Sequence, residues 1–285
     1  MNAMILHERA RRFEAEAEQP WFSVKCMVRG SATYHVGRGR YQVGNGQALL
    51  LNQDTPYRID ICSAEVVESF VVFFRPEWVR TALRVHVERH ERLLDEPFAN
   101  GPGSFRFAET LYRVDGDFAR SHHRLRELGP DADAGERAEA ADELLAACVR
   151  LQLGVADDFH RLVACRTSTR RELHRRLQAG RDFLLSNCTL RVSLADAASA
   201  ACLSPYHFAR LFRALYGLPP MAFLARERLR RAIHLLTTTE QTVLEICHQI
   251  GFESPTSFSA KVKACTGRSP QALRRHVQIS KNGEV

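Results

Sequence analysis

Two stretches decide the fold: residues 203–220, LSPYHFARLFRALYGLPP, and residues 243–274, VLEICHQIGFESPTSFSAKVKACTGRSPQALR. Residues 194–224 and 243–274 match each other at an offset of 49 before a turn and 50 after it. Ala198 pairs with Cys247 and Leu203 with Phe252; after one inserted residue, Phe208 pairs with Phe258, Phe212 with Val262, Arg213 with Lys263, Gly217 with Gly267 and Pro220 with Pro270. This is a duplicated supersecondary unit. In each copy a short helix with small apolar residues (Leu194–Ala201; Val243–Ile250) leads into a tight connection. Ser204 then precedes Pro205 and Ser254 precedes Pro255, a hydroxyl N-cap before a proline at the first helical position. Gly251 suits the end of the first helix in copy two. Helix, short turn and capped helix is the helix-turn-helix arrangement, whose second helix enters the DNA major groove. Units are predicted at 193–213 and 242–263.

On the second helices, Phe208 and Phe212, and likewise Phe258 and Val262, stand four apart and should face the core. The candidate DNA contacts are then Ser204, Pro205, Tyr206, His207, Ala209, Arg210 and Arg213 in copy one, and Thr256, Ser257, Ser259, Ala260, Lys261 and Lys263 in copy two. Aromatic, hydroxyl and cationic groups on one exposed face suit base edges and phosphates. Between the copies, Pro220–Thr237 reads as one linking helix, with Arg226, Arg228, Arg230 and Arg231 taken as a solvated face ahead of phosphate ligands.

Charge divides the chain. The 285 residues carry a net charge of +7, but residues 1–165 hold 21 Lys and Arg against 25 Asp and Glu, whereas residues 166–285 hold 19 against 8. A basic block joined to a mildly acidic one is the electrostatic footprint of a nucleic-acid-binding domain attached to a regulatory one. No apolar run reaches the length of a membrane-spanning helix. The first twenty residues carry Glu8, Arg9, Arg11, Arg12, Glu14, Glu16 and Glu18, leaving no secretory core, so a cytoplasmic protein is expected.

The first half reads as short strands with punctuation: Phe22–Arg29, Ala32–Val36, Arg40–Val43, Ala48–Asn52, Tyr57–Ile61 and Val66–Phe74. Gly37-Arg38-Gly39 and Gly44-Asn45-Gly46 supply hairpin turns, and Asp54-Thr55-Pro56 a loop. A small antiparallel barrel or sandwich follows. A helix should open at Pro76, a further strand is expected at Ser104–Ala108, and helices near Asp117–Leu128 and at Glu136–Leu153. The apolar stripe Leu144, Leu145, Cys148 and Leu151 on the last helix must pack on the barrel or on a second copy. The aromatics Trp21, Phe22, Tyr34, Tyr41, Tyr57, Phe70 and Phe73 could fill the core or line a ligand pocket.

Enzymatic signatures are missing. There is no Walker loop, dinucleotide fingerprint or nucleophile–base motif. A metal-dependent barrel would need an H-x-H pair, and Tyr34-His35-Val36 offers one histidine. His86 and His90, with Glu88 and Glu91, have helical metal spacing, but no third ligand is identifiable and a charged helix is the better account. No cofactor and no metal are expected. The eight cysteines form no C-x-x-C pair and most read as buried thiols, with a redox-sensing thiol as the minority alternative.

The stretches at 203–220 and 243–274, with ERLRRAIHLL at 227–236, resemble the AraC/XylS family of bacterial transcriptional regulators, with Arg228, Ala232 and Leu236 in the family's usual places. The resemblance covers roughly residues 177–276. It departs from the family where Ala260 replaces a common arginine and Val262 a phenylalanine, which should weaken or relax reading by copy two. The resemblance implies an α+β chain: a cupin-like regulatory and dimerisation domain at 1–165, a linker and helix start at 166–176, a double helix-turn-helix domain at 177–276 and a tail at 277–285. It implies a homodimeric, sequence-specific regulator of double-stranded DNA, an activator ahead of a repressor, contacting RNA polymerase and answering a small-molecule effector. A regulator controlled by a protein partner is the alternative, and a cupin-like enzyme fused to a DNA-binding module a remote one. Two recognition helices on one chain should read successive major-groove segments about 34 Å apart, hence an asymmetric site.

Overall fold

The computed structural model describes residues 3–37, 39–91, 106–129, 132–160, 167–252 and 254–275. The chain divides into two units at Arg171 and Glu172. Among the described residues the first unit contains β1 (Ala3–Ala17), β2 (Phe22–Arg29), β3 (Ser31–Val36), β4 (Gly39–Gly44), β5 (Gln47–Leu51), β6 (Tyr57–Phe74), α1 (Pro76–Glu91), β7 (Leu111–Arg113), α2 (Gly116–Glu127) and α3 (Ala134–His160).

The 18-residue β6 organises this unit. One of its edges pairs along its length with β1, and the other pairs first with β3 and then with β2, giving the antiparallel order β4-β3-β6-β2-β5-β7. The sheet curls until Met27 of β2 forms an isolated bridge with Asn45, the residue after β4, so it is nearly closed. Two expected strands, Tyr57–Ile61 and Val66–Phe74, are one continuous strand: β1 pairs with it on both sides of the junction, Ala10 with Val67 and Arg12 with Cys62, and the register shifts between them. β1 escaped the sequence pattern because it is largely exposed and charged. The strand expected at Ser104–Ala108 is corrected to β7, since residues 106–109 are irregular and 104–105 lie outside the described residues.

One face of the sheet is covered by its own helices. Phe22, Val24, Cys26, Leu50, Phe70 and Phe74 pack with Phe118, Leu125, Leu144, Leu145 and Cys148. The stripe on α3 is thus taken up by the sheet, and Gln152 at its end accepts the Ala108 N–H at 2.7 Å. The aromatics divide between faces: Phe22 and Phe70 meet the helices, Tyr34 and Tyr57 stand 5.8 Å apart away from them, and Trp21 lies exposed beside Arg75.

The second unit is all helical: α4 (Thr167–Ser186, which begins before the division), α5 (Leu194–Ala200), α6 (Pro205–Tyr216), α7 (Pro220–Thr238), α8 (Val243–Gln249), α9 (Pro255–Thr266) and a helical turn at 270–275. Gly180 lets α4 approach closely, because a Cβ there would lie 2.4 Å from the Phe208 ring. Among the described residues no helix is long and apolar enough to cross a membrane.

Candidate nucleic-acid interface

The repeat seen in the sequence is repeated in hydrogen bonds. Ser193 opens α5 with a capping box to Asp196, and Thr242 opens α8 with one to Glu245, 49 residues on. Both short helices close alike: Leu203 N–H donates to Ala198 O and Phe252 N–H to Cys247 O, each at 3.0 Å. Ser204 and Ser254 then accept the N–H groups of His207 and Ser257, with Pro205 and Pro255 at the first helical position. Both longer helices end on a left-handed glycine, Gly217 and Gly267, donating to Arg213 O and Lys263 O.

The inward faces are fully buried. Phe208 and Phe212 pack with Tyr216 and Phe223 in copy one, while Phe258 and Val262 pack with Ile246, Ile250, Ala232 and Leu236 in copy two. Val262 contributes no ring, but Phe252 in the turn does, 5.4 Å from Phe258. The Phe-to-Val exchange on the helix is thus matched by a Leu-to-Phe exchange in the turn. Arg228 on α7 ties the copies together: its guanidinium donates to Cys188 O at 2.7 Å, to Leu190 O and to Gly251 O at 3.2 Å. That corrects its assignment to a solvated face. Arg230 is likewise engaged, by Glu227 one turn earlier on α7 at 2.9 Å.

The outward faces carry the sequence-predicted residues. Tyr206 is 75% exposed, and Ser204, Pro205, His207, Arg210 and Arg213 are exposed, with Ala209 half-buried. Thr256, Ser257, Ala260, Lys261 and Lys263 are exposed and Ser259 is half-buried. Tyr206, Arg210 and Arg213 fall at i, i+4 and i+7, one stripe of α6; Thr256, Ala260 and Lys263 form the matching stripe of α9. Among the described residues no carboxylate pairs with Arg210, Arg213 or Lys263. Neighbouring acids are committed elsewhere: Asp196 and Glu245, both held below the usual carboxylate range by their capping hydrogen bonds, serve the helix starts. Lys261 differs, because its Nζ lies 5.3 Å from the Phe252 ring. It borders a cleft of about 630 Å³ between the copies, whose walls also include Arg191, Ser193, Arg228 and Ser257. Arg191 was not singled out from sequence, since it lies before α5 and outside the helical stripes.

No group of three or more metal-ligating side chains occurs among the described residues. The side chains of His86 and His90 lie outside those residues, as does Cys165, and the seven described cysteines are free thiols.

Comparison with known proteins accords with this geometry. A family of AraC-like ligand binding domains matches residues 4–147, half of the chain, and a helix-turn-helix domain family matches residues 197–276. The transcriptional activator AarP of Providencia stuartii is 35% identical over 92 residues, 32% of this chain and 68% of its own length. The transcriptional regulator AlkR of Acinetobacter baylyi is 36% identical over 83 residues, 29% of this chain and 26% of its own, so the chain spans about a quarter of that relative. The arabinose operon regulatory protein of Salmonella typhimurium is 27% identical over 159 residues, 55% of each chain. ToxT from Vibrio cholerae aligns over 97% of this chain and 98% of its own at 13% identity, with a TM-score of 0.37. The chain belongs to the AraC/XylS family of transcriptional regulators, a DNA-binding and non-catalytic family.

Proposed function

We propose that this chain is a sequence-specific regulator of double-stranded DNA in which α5–α6 and α8–α9 are two helix-turn-helix units and α6 and α9 the recognition helices. The observation that carries this is the exposed stripe Tyr206, Arg210 and Arg213, two guanidinium groups standing free of carboxylates on a capped helix beside its repeat. Arg210 is positioned for a bidentate base contact and Arg213, a turn further on, for a phosphate. Ser204, Pro205, Tyr206, His207 and Ala209 complete the first surface; Thr256, Ser257, Ser259, Ala260, Lys261 and Lys263 form the second. Ala260 brings no donor to a base, so α9 should contribute less discrimination than α6.

The amino-terminal unit, a nearly closed sheet of cupin-like type, is the effector domain in this reading, and a homodimer acting in the cytoplasm is its working form. The matched activator AarP supports activation, which would require contact with RNA polymerase. Genome-wide mapping of bound DNA tests the proposal. Discrete sites upstream of genes whose transcription falls when the protein is removed are expected; binding without discrete sites would overturn it.

A further inference from the structure

The cleft of about 630 Å³ between the two helix-turn-helix units is cationic. Its walls bring together Arg191 from the segment before α5, Arg228 from the linking α7 and Lys261 from α9. One carboxylate faces them, Asp196, whose Oδ2 already accepts the Ser193 N–H at 2.8 Å and the Ser193 hydroxyl at 2.7 Å. Arg191 and Lys261 are exposed and Arg228 is half-buried. Each cation comes from a different element, so the site exists only where the two copies meet.

Arg228 carries more donors than the protein uses. A guanidinium has five N–H groups, and its bonds to the carbonyls of Cys188, Leu190 and Gly251 leave two without an acceptor among the described residues. No carboxylate pairs with it or with Lys261 among those residues; the Lys261 ammonium lies instead 5.3 Å from the Phe252 ring. Burial acts against the Arg228 charge and pushes its pKa down, whereas charge taken out of water normally has a counter-charge. Gly251, which also lines the cleft, leaves that guanidinium open, because a Cβ there would stand 3.3 Å from its Cζ and Nη2. On α9, Ser257 and Lys261 are four apart and lie one residue round the helix from Thr256 and Ala260 of the outward stripe. The cleft therefore opens on the flank of that stripe, where a helix lying in the major groove meets the sugar–phosphate backbone and not the bases.

Resting on the DNA-binding reading above, we propose that this cleft is a phosphate site, filled in the complex by one DNA backbone phosphate lying between the two half-elements. Arg228 offers its two remaining N–H donors as a fixed fork, the geometry that suits phosphate oxygens. Arg191 and Lys261 add their charges from the two copies. The neighbours decide the source of the phosphate: Ser257 and Lys261 belong to the second DNA surface, so the anion that reaches them on a bound duplex is its backbone. Because both copies build the site, it grips the phosphate only when both recognition helices are seated, which fixes the spacing of the two halves.

The full-length protein and the element it selects from random duplex DNA test this. In a ladder of duplexes, a neutral methylphosphonate replaces one phosphate at a time between the two halves. The wild type should lose about tenfold in affinity at one or two adjacent positions, the loss expected for a hydrogen bond between charged groups. Arg191→Gln and Lys261→Gln should each weaken binding to the unmodified duplex by about the same factor and reduce the salt slope by about one. At the sensitive positions they should lose nothing further, whereas Arg210→Ala should lose the same factor there as the wild type. Lys261→Arg should retain affinity, and because both replaced side chains are exposed, melting temperatures should stay at the wild-type value. A flat ladder, or losses from variant and ladder that simply multiply, would overturn the proposal. A flat ladder together with millimolar inorganic phosphate shifting the Lys261 13Cε resonance of the DNA-free protein would assign the cleft to a free anion and overturn the DNA assignment. If Arg210→Ala weakens binding while Arg191→Gln and Lys261→Gln do not, the proposal fails and the DNA-binding reading stands. If no element is selected, that reading fails with it.

Discussion

Cys202 and Gly251 occupy the same corner of the two repeated units, and both adopt the left-handed backbone, φ +50° at Cys202 and +75° at Gly251. Glycine takes this conformation without a steric penalty, whereas a side chain costs about 1 kcal/mol. The Cys202 side chain is exposed, and its backbone oxygen accepts from Arg176 at 3.2 Å, a bond that substitution leaves intact. Cys202→Gly should therefore stabilise the carboxy-terminal unit by about 1 kcal/mol, measurable by denaturant unfolding. An unchanged midpoint would mean that the corner is not strained.

Gly180 should tolerate no side chain. Alanine would gain about 1 kcal/mol of helix propensity, but its Cβ would meet the Phe208 ring at 2.4 Å and Ala197 O at 3.1 Å. Phe208 is fully buried against Phe212 and has no room to retreat. Overpacking of about 1–3 kcal/mol outweighs the propensity gain, so Gly180→Ala should lower the melting temperature. A rise would show that α4 can shift away.

Arg228 holds three backbone carbonyls from two segments, and no other residue type has the same fork of donors. Arg228→Met should cost about 2–3 kcal/mol of stability and weaken DNA binding by loosening one unit against the other. Lysine should rescue little, because one ammonium cannot span the three oxygens. Full rescue by Arg228→Lys would reduce the role to charge alone.

His122 makes the amino-terminal unit acid-sensitive. It stacks near Phe118 and meets Phe70 edge-on, and its Nε2 is buried without a hydrogen-bond partner. Burial, with Arg126 and His123 adding to it, lowers its pKa from 6.5 to about 4. Below about pH 6.5 the unfolded chain takes up a proton that the folded chain refuses, so this contribution is intact above that pH and lost progressively towards pH 4. The loss should be on the order of 2–3 kcal/mol. His122→Phe should flatten the stability profile across that window; an equally steep profile would assign the acid sensitivity elsewhere.

The carboxy-terminal unit was legible because its signals are local. Ser204-Pro205, Ser254-Pro255 and Gly251 act within a turn of where they stand, and the 49- and 50-residue offsets expose the repeat without any tertiary knowledge. The amino-terminal unit depends on distant pairings. β1 alternates weakly and is charged, so only its pairing with β6 makes it a strand, and the two expected halves of β6 look separate because the β1 register shifts at their junction. Arg228 looked like surface charge because its three acceptors are backbone oxygens, which no side-chain pattern reveals.

The central claim is that the α6 stripe reads bases and the α9 stripe reads fewer. Selection from random duplex DNA by the full-length wild type, Arg210→Ala and Arg213→Ala, with affinities measured across a salt series, tests it most directly. The wild type should select an asymmetric element with information concentrated in one half. Arg210→Ala should lose about 1–3 kcal/mol on that element and relax preference at one or two positions. Arg213→Ala should weaken binding to every sequence and reduce the salt slope by about one. A short palindrome, equal information in both halves, or unchanged affinity in both variants would contradict the account.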